Sequence, residues 1–408
     1  MIAYFGKVAL FFSMSLSLYQ SCPKSKNIVP STWANSIFLA SAFFLLEYCH
    51  IISDFSIINV YQYSSKVEPL FYKITGVWNN PPGALLLFTT ILSFCSNLFA
   101  LRPLSYHKIK CNILNLHGII MTILLAIIFF AANPFIEIFP IPDNGKGLNP
   151  ILQNIGLALH MPLLYIGLAG IVFTISCSLV TYRCYRNITI MEIYKKSFIW
   201  LAISWLFLTF GLVISCWYAY LVPNWLGILD LSKNIYLIIW LILTVLLLIS
   251  SLKTKAVLLF GSGIICIILG MICIGAGQKQ IYQEMKYNEI VKIGTKRITL
   301  ESMSIAARDN FLFRQGDFSI HDKNNKEITH LYPEVRYYPI EQINTNNQSV
   351  YYRALSNSYI EMGKTTDDGK FIVKIYYRPM INLIWIGIAL ISIGYGSLLR
   401  NKTILTKI

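Results

Sequence analysis

Residues 157–181 read Leu157-Ala-Leu-His160-Met-Pro162-Leu-Leu-Tyr-Ile-Gly-Leu-Ala-Gly-Ile-Val-Phe-Thr-Ile-Ser-Cys-Ser-Leu-Val-Thr181 and contain no Asp, Glu, Lys or Arg. At 1.5 Å per residue, a helix of this length covers about 37 Å, more than the hydrocarbon core of a bilayer, which is about 30 Å thick. The stretch therefore predicts a membrane-spanning helix, and a spanning helix predicts others around it.

Eight further apolar runs of similar length flank this one. We expect them to span as well, because each is close to the length that the hydrocarbon core demands. The first run resembles a signal peptide, but Lys7 lies inside it and no small-residue cleavage site precedes Lys24, so we expect a retained helix. The nine predicted spans are residues 2–19, 33–52, 83–101, 113–132, 157–181, 198–221, 235–251, 256–277 and 381–399.

The composition agrees with a membrane protein. The 408 residues are 55% apolar and only 13% charged, whereas soluble domains have about 25% charged residues. This excludes an ordinary soluble domain. The net charge of +15 is expected in cytoplasmic loops and does not indicate a nucleic-acid partner. Nine cysteines occur without a CxxC motif, so neither a disulfide framework nor thiol chemistry is predicted.

The basic residues also predict the orientation of the spans. Loops rich in Lys and Arg alternate with loops of little net charge, and basic loops face the cytoplasm. This alternation places the N-terminus outside and the C-terminus inside. The basic residues that set it are Lys24, Lys26, Arg102, Lys108, Lys110, Arg183, Arg186, Lys195, Lys196, Lys253, Lys255, Arg400, Lys402 and Lys407.

Residues 278–378 differ from the rest of the chain because they hold 12 of the 19 acidic and 15 of the 34 basic residues. Alternating runs such as Phe371-Ile-Val-Lys-Ile-Tyr-Tyr and Ser349-Val-Tyr-Tyr predict strands. The predicted fold is therefore an α-helical polytopic membrane protein with about nine transmembrane helices and a small β-rich extracytoplasmic domain between the last two. The predicted division is a membrane domain at 1–277, the β-rich domain at 278–378, and the last helix with its tail at 379–408.

Motifs for phosphate loops, HExxH metalloproteases and GxSxG hydrolases are absent from the sequence. The residues that remain for chemistry lie at the predicted outer face. His160, at the outer end of the fifth span, is either a ligand for a metal or haem iron or a packing residue. The stretch Ser215 to Asp230, which includes Trp217, Tyr218 and Trp225, is either an interfacial aromatic belt or a flat surface for a porphyrin.

Other conspicuous residues have weaker interpretations. Trp78 and the following Pro81-Pro82-Gly83 predict a helix start at the interface. Glu47 and His50, three residues apart on one span, are spaced to form a hydrogen-bonded pair. His107 and His117 receive no role, and His321 and His330 are expected to be exposed in the β-rich domain.

The order of these segments resembles the CcmF-type cytochrome c biogenesis proteins, membrane subunits of the haem lyase that attaches haem to apocytochrome c. The similarity runs along most of the chain and is most specific around His160. The matching segments are Met1 to Leu10, Asp54-Phe-Ser, Tyr72-Lys, Trp78, Gly83-Ala-Leu-Leu-Leu, Asn133-Pro-Phe, Gly147-Leu-Asn-Pro-Ile-Leu-Gln, His160-Met-Pro-Leu-Leu-Tyr-Ile-Gly, Leu331-Tyr-Pro-Glu-Val-Arg-Tyr-Tyr, Lys374-Ile-Tyr-Tyr-Arg-Pro and Trp385-Ile-Gly.

The resemblance implies a subunit that presents haem at the outer membrane face for thioether formation with apocytochrome c. His160 would ligate the iron, and Trp217, Tyr218, Trp225 and Asp230 would contact a b-type haem that is bound transiently. The implied partners are apocytochrome c, a haem-delivery chaperone, other maturation subunits and membrane lipid. The implied location is a bacterial inner membrane, with a mitochondrial inner membrane as the alternative.

The sequence departs from the family pattern at several positions. Pro81-Pro82 replaces a His-Glu pair, Leu248 and Gly261 align with two membrane histidines of the family, and a second outer histidine has no counterpart because several spans of the family are missing. A bis-His pair cannot be built from His160 alone, so a second ligand would come from elsewhere, from a partner chain, or not at all. Two other functions remain as alternatives, a non-catalytic scaffold that has lost haem ligation and a permease. A permease would need charged residues at mid-membrane depth, and Lys7 and Glu47 fit that description poorly.

Overall fold

A computed structural model describes residues 1–22, 27–101, 107–184, 190–220, 235–251, 256–293, 296–322, 324–366 and 369–400. These residues form eleven α-helices and ten strands. They group into two compact units. One unit runs from Met1 to Cys216 and includes Ile235–Leu243, and the other includes Trp217 and the chain from Thr244 onward. The predicted three-part division of the chain stays a prediction.

The helices follow the predicted spans closely. They are α1 (Ile2–Ser21), α2 (Ile28–Ile51), α3 (Ile58–Tyr63), α4 (Leu70–Gly76), α5 (Pro81–Ala100), α6 (His107–Phe130), α7 (Ile155–Cys184), α8 (Ile190–Tyr220), α9 (Ile235–Ser251), α10 (Ala256–Gly277) and α11 (Asn382–Arg400). Within the described residues, seven helices are long and apolar enough to cross a membrane, and two shorter apolar helices occupy the predicted seventh and ninth spans. The chain is thus a multi-pass membrane protein, as predicted.

Several helices extend beyond the predicted boundaries on the side assigned to the cytoplasm, and α6 and α8 do so by the most residues. The helix α6 begins six residues earlier than predicted, and α8 begins at Ile190 and so includes Lys195 and Lys196. Hydropathy marks where hydrocarbon ends, whereas backbone hydrogen bonding continues into the aqueous loop. The difference is therefore expected on physical grounds.

Two of the loops predicted to lie outside, the segments after α2 and after α6, pack against one another. The segment after α2 contains the two short helices α3 and α4, which the sequence did not predict, and it pairs with the segment after α6. The amide of Ile58 donates to the carbonyl of Ile136, and that of Ile138 donates to Ser56, both at 2.8 Å. Glu68 is buried and accepts from the amide of Leu148 at 3.3 Å. These bonds satisfy backbone groups that would otherwise be left without partners beside the helix ends.

The N-terminus of α1 joins the same layer. Lys7 forms an ion pair with Glu137 at 2.8 Å, and Phe135 packs directly against Gly6, where any Cβ atom would overlap the ring. Both contacts place the start of α1 beside the loop 131–154. The predicted topology requires this, because it assigns the N-terminus and that loop to one side of the membrane.

The strands form two antiparallel sheets. They are β1 (Lys279–Met285), β2 (Ile290–Ile293), β3 (Lys296–Ala307), β4 (Leu312–His321), β5 (Glu327–Leu331), β6 (Glu334–Tyr338), β7 (Ile343–Asn347), β8 (Ser349–Tyr352), β9 (Asn357–Thr365) and β10 (Phe371–Arg378). One sheet has the order β1-β10-β9-β8, and the other has the order β2-β3-β4-β6-β7 with β5 paired to β4. Both strands predicted from alternating runs, β8 and β10, are present.

The two sheets share one apolar core, to which both contribute alternate side chains. Leu300 and Phe318 of one sheet and Ile360 and Val373 of the other are completely buried. Since alternate residues of a strand point to opposite faces, the polar residues between them lie on the outer faces. The β-rich domain is therefore a sandwich, flanked in sequence by α10 and α11.

Candidate functional site

His160 lies one turn into α7, and two asparagines define how the chain enters that helix. Asn149 accepts from the amide of Ile151 at 3.0 Å and caps the 3₁₀ turn Pro150–Leu152 that precedes α7, and Asn154 accepts from the amide of Gly156 at 2.8 Å at the start of α7 itself. Such side-chain acceptors satisfy amides that the start of a helix leaves free. The imidazole of His160 is buried, with 6% of the residue exposed. The predicted iron ligand is thus fixed at the entrance of the helix and covered by protein.

Pro162 creates an unusual hydrogen bond in the same turn. A proline has no amide hydrogen, so the carbonyl four residues earlier, that of Ala158, loses its helical partner. The indole Nε1 of Trp78 donates to this carbonyl at 2.9 Å. His160 lies between the two residues whose helical bond is missing. The indole therefore replaces a helical hydrogen bond and ties the loop before α5 to the turn that carries His160.

Trp78 is itself held from two sides. Its ring stacks on Phe43 with centroids 6.5 Å apart and planes 23° apart, which fixes the indole plane. The next residue, Asn79, has a buried side-chain Nδ2 without a hydrogen-bond partner among the described residues. A buried amide without an acceptor is costly, so this nitrogen is a donor available to a ligand that brings an acceptor.

A chain of buried polar side chains supports the start of α5. Asn80 accepts from the amide of Gly83 at 2.9 Å and donates to the carbonyls of Gly76 and Val77 at 2.8 and 2.9 Å. It also accepts from Asn59 at 2.8 Å. This role of Asn80 was not predicted, although an Asn directly before Pro-Pro-Gly is a typical helix cap.

His50 completes this chain, and its partner differs from the one considered in the sequence analysis. Its Nε2 lies 2.9 Å from Oδ1 of Asn59, so the suggested pair with Glu47 is wrong. His50 is fully buried, and its Nδ1 has no hydrogen-bond partner among the described residues. The reversal of the chain after α2 brings Asn59 back to the helix end, which spacing along one helix cannot reveal.

The aromatic residues predicted to contact haem are only partly described. Trp217 lies in the last turn of α8 with 46% of its surface exposed, and it belongs to the compact unit that does not contain His160. The side chain of Tyr218 lies outside the described residues, as do Trp225 and Asp230. Their roles therefore stay predictions.

The residues around His160 fit a haem in their chemistry. A neutral imidazole is a common axial ligand of haem iron, and the orphaned amide of Asn79 is a donor suited to a carboxylate. His160 would supply a single imidazole to the iron. Because this residue is buried, access for a haem would require neighbouring side chains to move.

In the sandwich, residues of the family-like segment Lys374 to Arg378 form a buried aromatic and cationic cluster. Tyr359 and Tyr376 stack at 4.4 Å, and the guanidinium of Arg378 lies over the Tyr359 ring at 4.5 Å. Burial raises the pKa of Tyr359, so its hydroxyl stays protonated. On the other sheet, burial and then the charge of Arg353 lower the pKa of Lys296 to about 8, while its Nζ donates to Ser358 at 3.0 Å.

His330 also differs from its expectation of simple exposure. About a quarter of its side chain is exposed, and its two ring nitrogens lie 2.6 Å from Asp317 and 3.2 Å from Glu327. His321, at the end of β4, is half-buried. The sandwich therefore contains a histidine set among carboxylates that the sequence pattern did not indicate.

Comparisons with known proteins agree with this architecture. A family model described as "Cytochrome C assembly protein" matches residues 78–278, and one described as "CcmF C-terminal beta-sandwich" matches residues 276–379. The solved structure named Cytochrome c Heme Lyase CcmF has the same fold, with a TM-score of 0.75 at 11% identity and 98% of each chain covered.

Curated relatives give the same result. The cytochrome c-type biogenesis protein CycK of Bradyrhizobium diazoefficiens is 34% identical over 60% of this chain and 39% of its own length. CycK of Rhizobium meliloti is 35% identical over 47% of this chain and 28% of its own length. CcmF of Haemophilus influenzae is 31% identical over 56% of this chain and 37% of its own length. The chain thus spans well under half the length of these relatives.

The apolar helices, the paired loops after α2 and α6, and the sandwich before the last helix define a membrane protein of the cytochrome c assembly class. The first family match begins at Trp78 and includes His160, and the second includes every strand of the sandwich. The chain belongs to the CcmF-type family of cytochrome c biogenesis proteins.

Proposed function

We propose that this chain is a subunit of a cytochrome c haem lyase that presents haem at the outer face of the inner membrane. The observation that carries the proposal is the hydrogen bond from Trp78 to Ala158, which braces the turn of α7 that holds His160. A ligand-bearing turn needs such support, because small displacements of a positioned group cost much of its effect. The family matches, which include both residues, support the same assignment.

In this proposal the protein positions its substrates and supplies no acid or base. Each cysteine thiol of apocytochrome c adds across a haem vinyl group, forming a carbon–sulfur bond while the hydrogen goes to the other vinyl carbon, so no oxidant is consumed. His160 would hold the iron from one side. Trp217, Tyr218 and Trp225 would lie against the porphyrin, and Asp230 would contact its edge. The haem would be b-type, meaning bound without covalent links, and would leave with the product.

The partners follow from the same proposal. Apocytochrome c and a haem-delivery chaperone would approach from the outer side, where the sandwich at 278–378 offers a docking domain to them and to other maturation subunits. The inner membrane of a bacterium is the proposed location, since the relatives compared above are bacterial proteins. The name of the solved structure with the same fold, Cytochrome c Heme Lyase CcmF, supports a haem-lyase subunit over a scaffold without haem.

The test is the yield of covalent cytochrome c in cells whose own copy of this gene is replaced by a variant. His160→Ala should lower haem-stained c-type cytochrome about 10-fold or more, because a positioned ligand is lost. His321→Ala, which removes a histidine from the sandwich, should leave the yield unchanged when both variants accumulate to the same level in the membrane. Unchanged cytochrome c in His160→Ala would contradict the central role of this residue.

A second variant tests the brace without touching the ligand. Trp78→Phe removes the indole donor but keeps an aromatic ring on Phe43, so Ala158 loses its replacement partner. We expect a yield between those of the parent protein and His160→Ala. Trp33→Phe on α2, a tryptophan that is 41% exposed, is the matched control. Equal yields in both tryptophan variants would contradict the bracing role.

A further inference from the structure

Three neighbouring strands of the sandwich bring a histidine and two carboxylates together. Glu301 lies on β3, Asp317 on β4 and His330 on β5, and one potential ligand atom from each lies within 4.8 Å of the other two. All three lie on the outer face of the six-stranded sheet, opposite the core residues Leu300 and Phe318. Metal–ligand distances for first-row metals are about 2.0–2.2 Å. Three ligand atoms this close to one another can therefore contact one ion after small side-chain movements.

The strand register explains how the three residues meet. His330 lies directly opposite Ser319 across the β4–β5 ladder, and Asp317 is two residues from Ser319 on the same face. On the other side, the β3–β4 register shifts between Leu300 and Ser302, so Glu301 is the extra residue of a bulge. Bulges redirect a side chain and are common beside functional sites. Here the bulge brings Glu301 to the pair on β4 and β5.

The imidazole of His330 is oriented as a ligand. Its Nδ1 lies 2.6 Å from Oδ1 of Asp317, and its Nε2 lies 3.2 Å from Oε1 of Glu327. At this distance the Nδ1–H donates to the carboxylate of Asp317. A bound ion would replace that hydrogen between Nδ1 and Asp317, and Nε2 would then carry the hydrogen on the side that faces Glu327. A carboxylate that accepts from the second nitrogen of a metal-binding histidine is the usual outer partner in such sites, because it fixes the tautomer and raises the basicity of the ring.

A buried hydroxyl beside the cluster gives an independent indication of a ligand. Ser319 has no exposed surface, and its Oγ has no hydrogen-bond partner among the described residues. Ser319 and Glu301 line the same surface groove, and Ser319 faces His330 across the ladder. Buried hydroxyls normally have a partner, and a metal-bound water or a ligating carboxylate oxygen would supply one at this place.

We propose that Glu301, Asp317 and His330 bind one divalent transition-metal ion, with Glu327 as the outer partner of the histidine. The donor set of one imidazole and two carboxylates suits Zn²⁺, Co²⁺ or Mn²⁺ better than Ca²⁺ or Mg²⁺, which prefer oxygen ligands alone. Such an ion would link β3, β4 and β5 on the outer face of the sheet and cancel the charge of the two ligating carboxylates.

The test uses the full-length protein in detergent, without a polyhistidine tag and stripped of metal with a chelator. Titration with ZnCl₂, followed by calorimetry, should show one site per chain that is lost or weakened about 10-fold or more in Asp317→Asn and His330→Ala. His321→Ala, which removes the neighbouring histidine of the same groove, is the matched control and should bind as the parent protein does.

Two further measurements keep the result decisive. Glu301→Gln changes an exposed side chain, so it should fold even if His330→Ala does not, and it should also weaken zinc binding. Co²⁺ in the same site should show an absorption spectrum without the thiolate charge-transfer band that binding to one of the nine cysteines would produce. Absence of stoichiometric binding, a thiolate spectrum, or equal affinity in Glu301→Gln, Asp317→Asn and the parent protein would overturn the proposal.

Discussion

The membrane helices and the sandwich satisfy their polar groups in opposite ways. In the helices, hydroxyls bond to the backbone of their own helix, as Thr89 does to Leu85 at 2.7 Å and Ser204 to Trp200 at 2.7 Å. In the sandwich, charged side chains pair with each other, as Arg336 does with Glu334 at 2.7 Å. Hydrocarbon offers no water to a polar group, whereas the outer domain can use charge. The membrane helices therefore depend on neutral imidazole, indole and amide groups for polar contacts, whereas the sandwich depends on carboxylates and cations.

The largest expected effect comes from tight backbone packing beside Trp78. Gly83→Ala would place a Cβ atom on the backbone carbonyl of Val77, which cannot move without disturbing the cap of α5. We expect a loss of about 3 kcal/mol, at the upper end of overpacking costs, read as a large fall in the thermal unfolding midpoint in detergent. Gly261→Ala on α10 is the matched control, because nothing lies within 4 Å of its added Cβ. Equal effects of both substitutions would contradict the packing described.

The side-chain hydrogen bonds of Asn80 at the start of α5 should be the feature of the helical region whose loss lowers stability by the next largest amount. Asn80→Ala removes the cap of Gly83 and the donor to two carbonyls, for an expected cost of about 2 kcal/mol. Asn79→Ala, a change of the same kind at the next residue, should cost less than about 0.5 kcal/mol, since its Nδ2 has no partner to lose among the described residues. The two thermal midpoints, measured side by side, check this order, and a reversed order would contradict the network.

In the sandwich, the buried cation Lys296 should make stability depend on pH. Because burial lowers its pKa to about 8 from 10.5, the unfolded chain binds more protons between these values, and stability rises with pH across that window. Lys296→Met should reduce this rise and increase stability below pH 8. Hydrogen exchange of the β3 and β9 amides in the full-length protein, measured from pH 7 to about pH 10, checks the slope. An unchanged slope in the variant would show that other groups control it.

The smallest expected effect concerns the ion pair at the outer end of α1. Lys7 and Glu137 lie 2.8 Å apart, but their side chains are 34% and 52% exposed. A double-mutant cycle with Lys7→Ala and Glu137→Ala should give a coupling of about 0.2–1 kcal/mol that decreases with added salt. A much larger coupling would mean that the pair is shielded from water, contrary to its position in the outer layer.

Much of the fold was predictable because hydrocarbon imposes a strict rule on sequence. A run such as 157–181 can only be a helix in a bilayer, and alternation over 371–377 can only be a half-buried strand. Helix ends were less predictable, because Lys195 and Lys196 are helical although they lie outside the apolar run. The short helices α3 and α4 were missed because each is too short for its pattern to stand out.

Residues of the site were predictable only where the residue type is itself unusual for its position in the sequence. His160 was conspicuous as a histidine at the end of a span, but the carbonyl of Ala158 that Pro162 leaves free was not predicted. The donor to that carbonyl, Trp78, lies 80 residues away, so only tertiary structure identifies it. The pairing of His50 with Asn59 requires a chain reversal, and the carboxylates around His330 require the bulge at Glu301. Neither feature has a periodic signature.

The most direct test of the account is the visible spectrum of the protein purified with bound haem. The parent protein and His321→Ala should both show a Soret band with the features of imidazole ligation. In His160→Ala, the band should be lost or shifted to that of another ligand state, and added imidazole should restore it. A spectrum that is the same in His160→Ala as in the parent protein would contradict the claim that this histidine meets the iron.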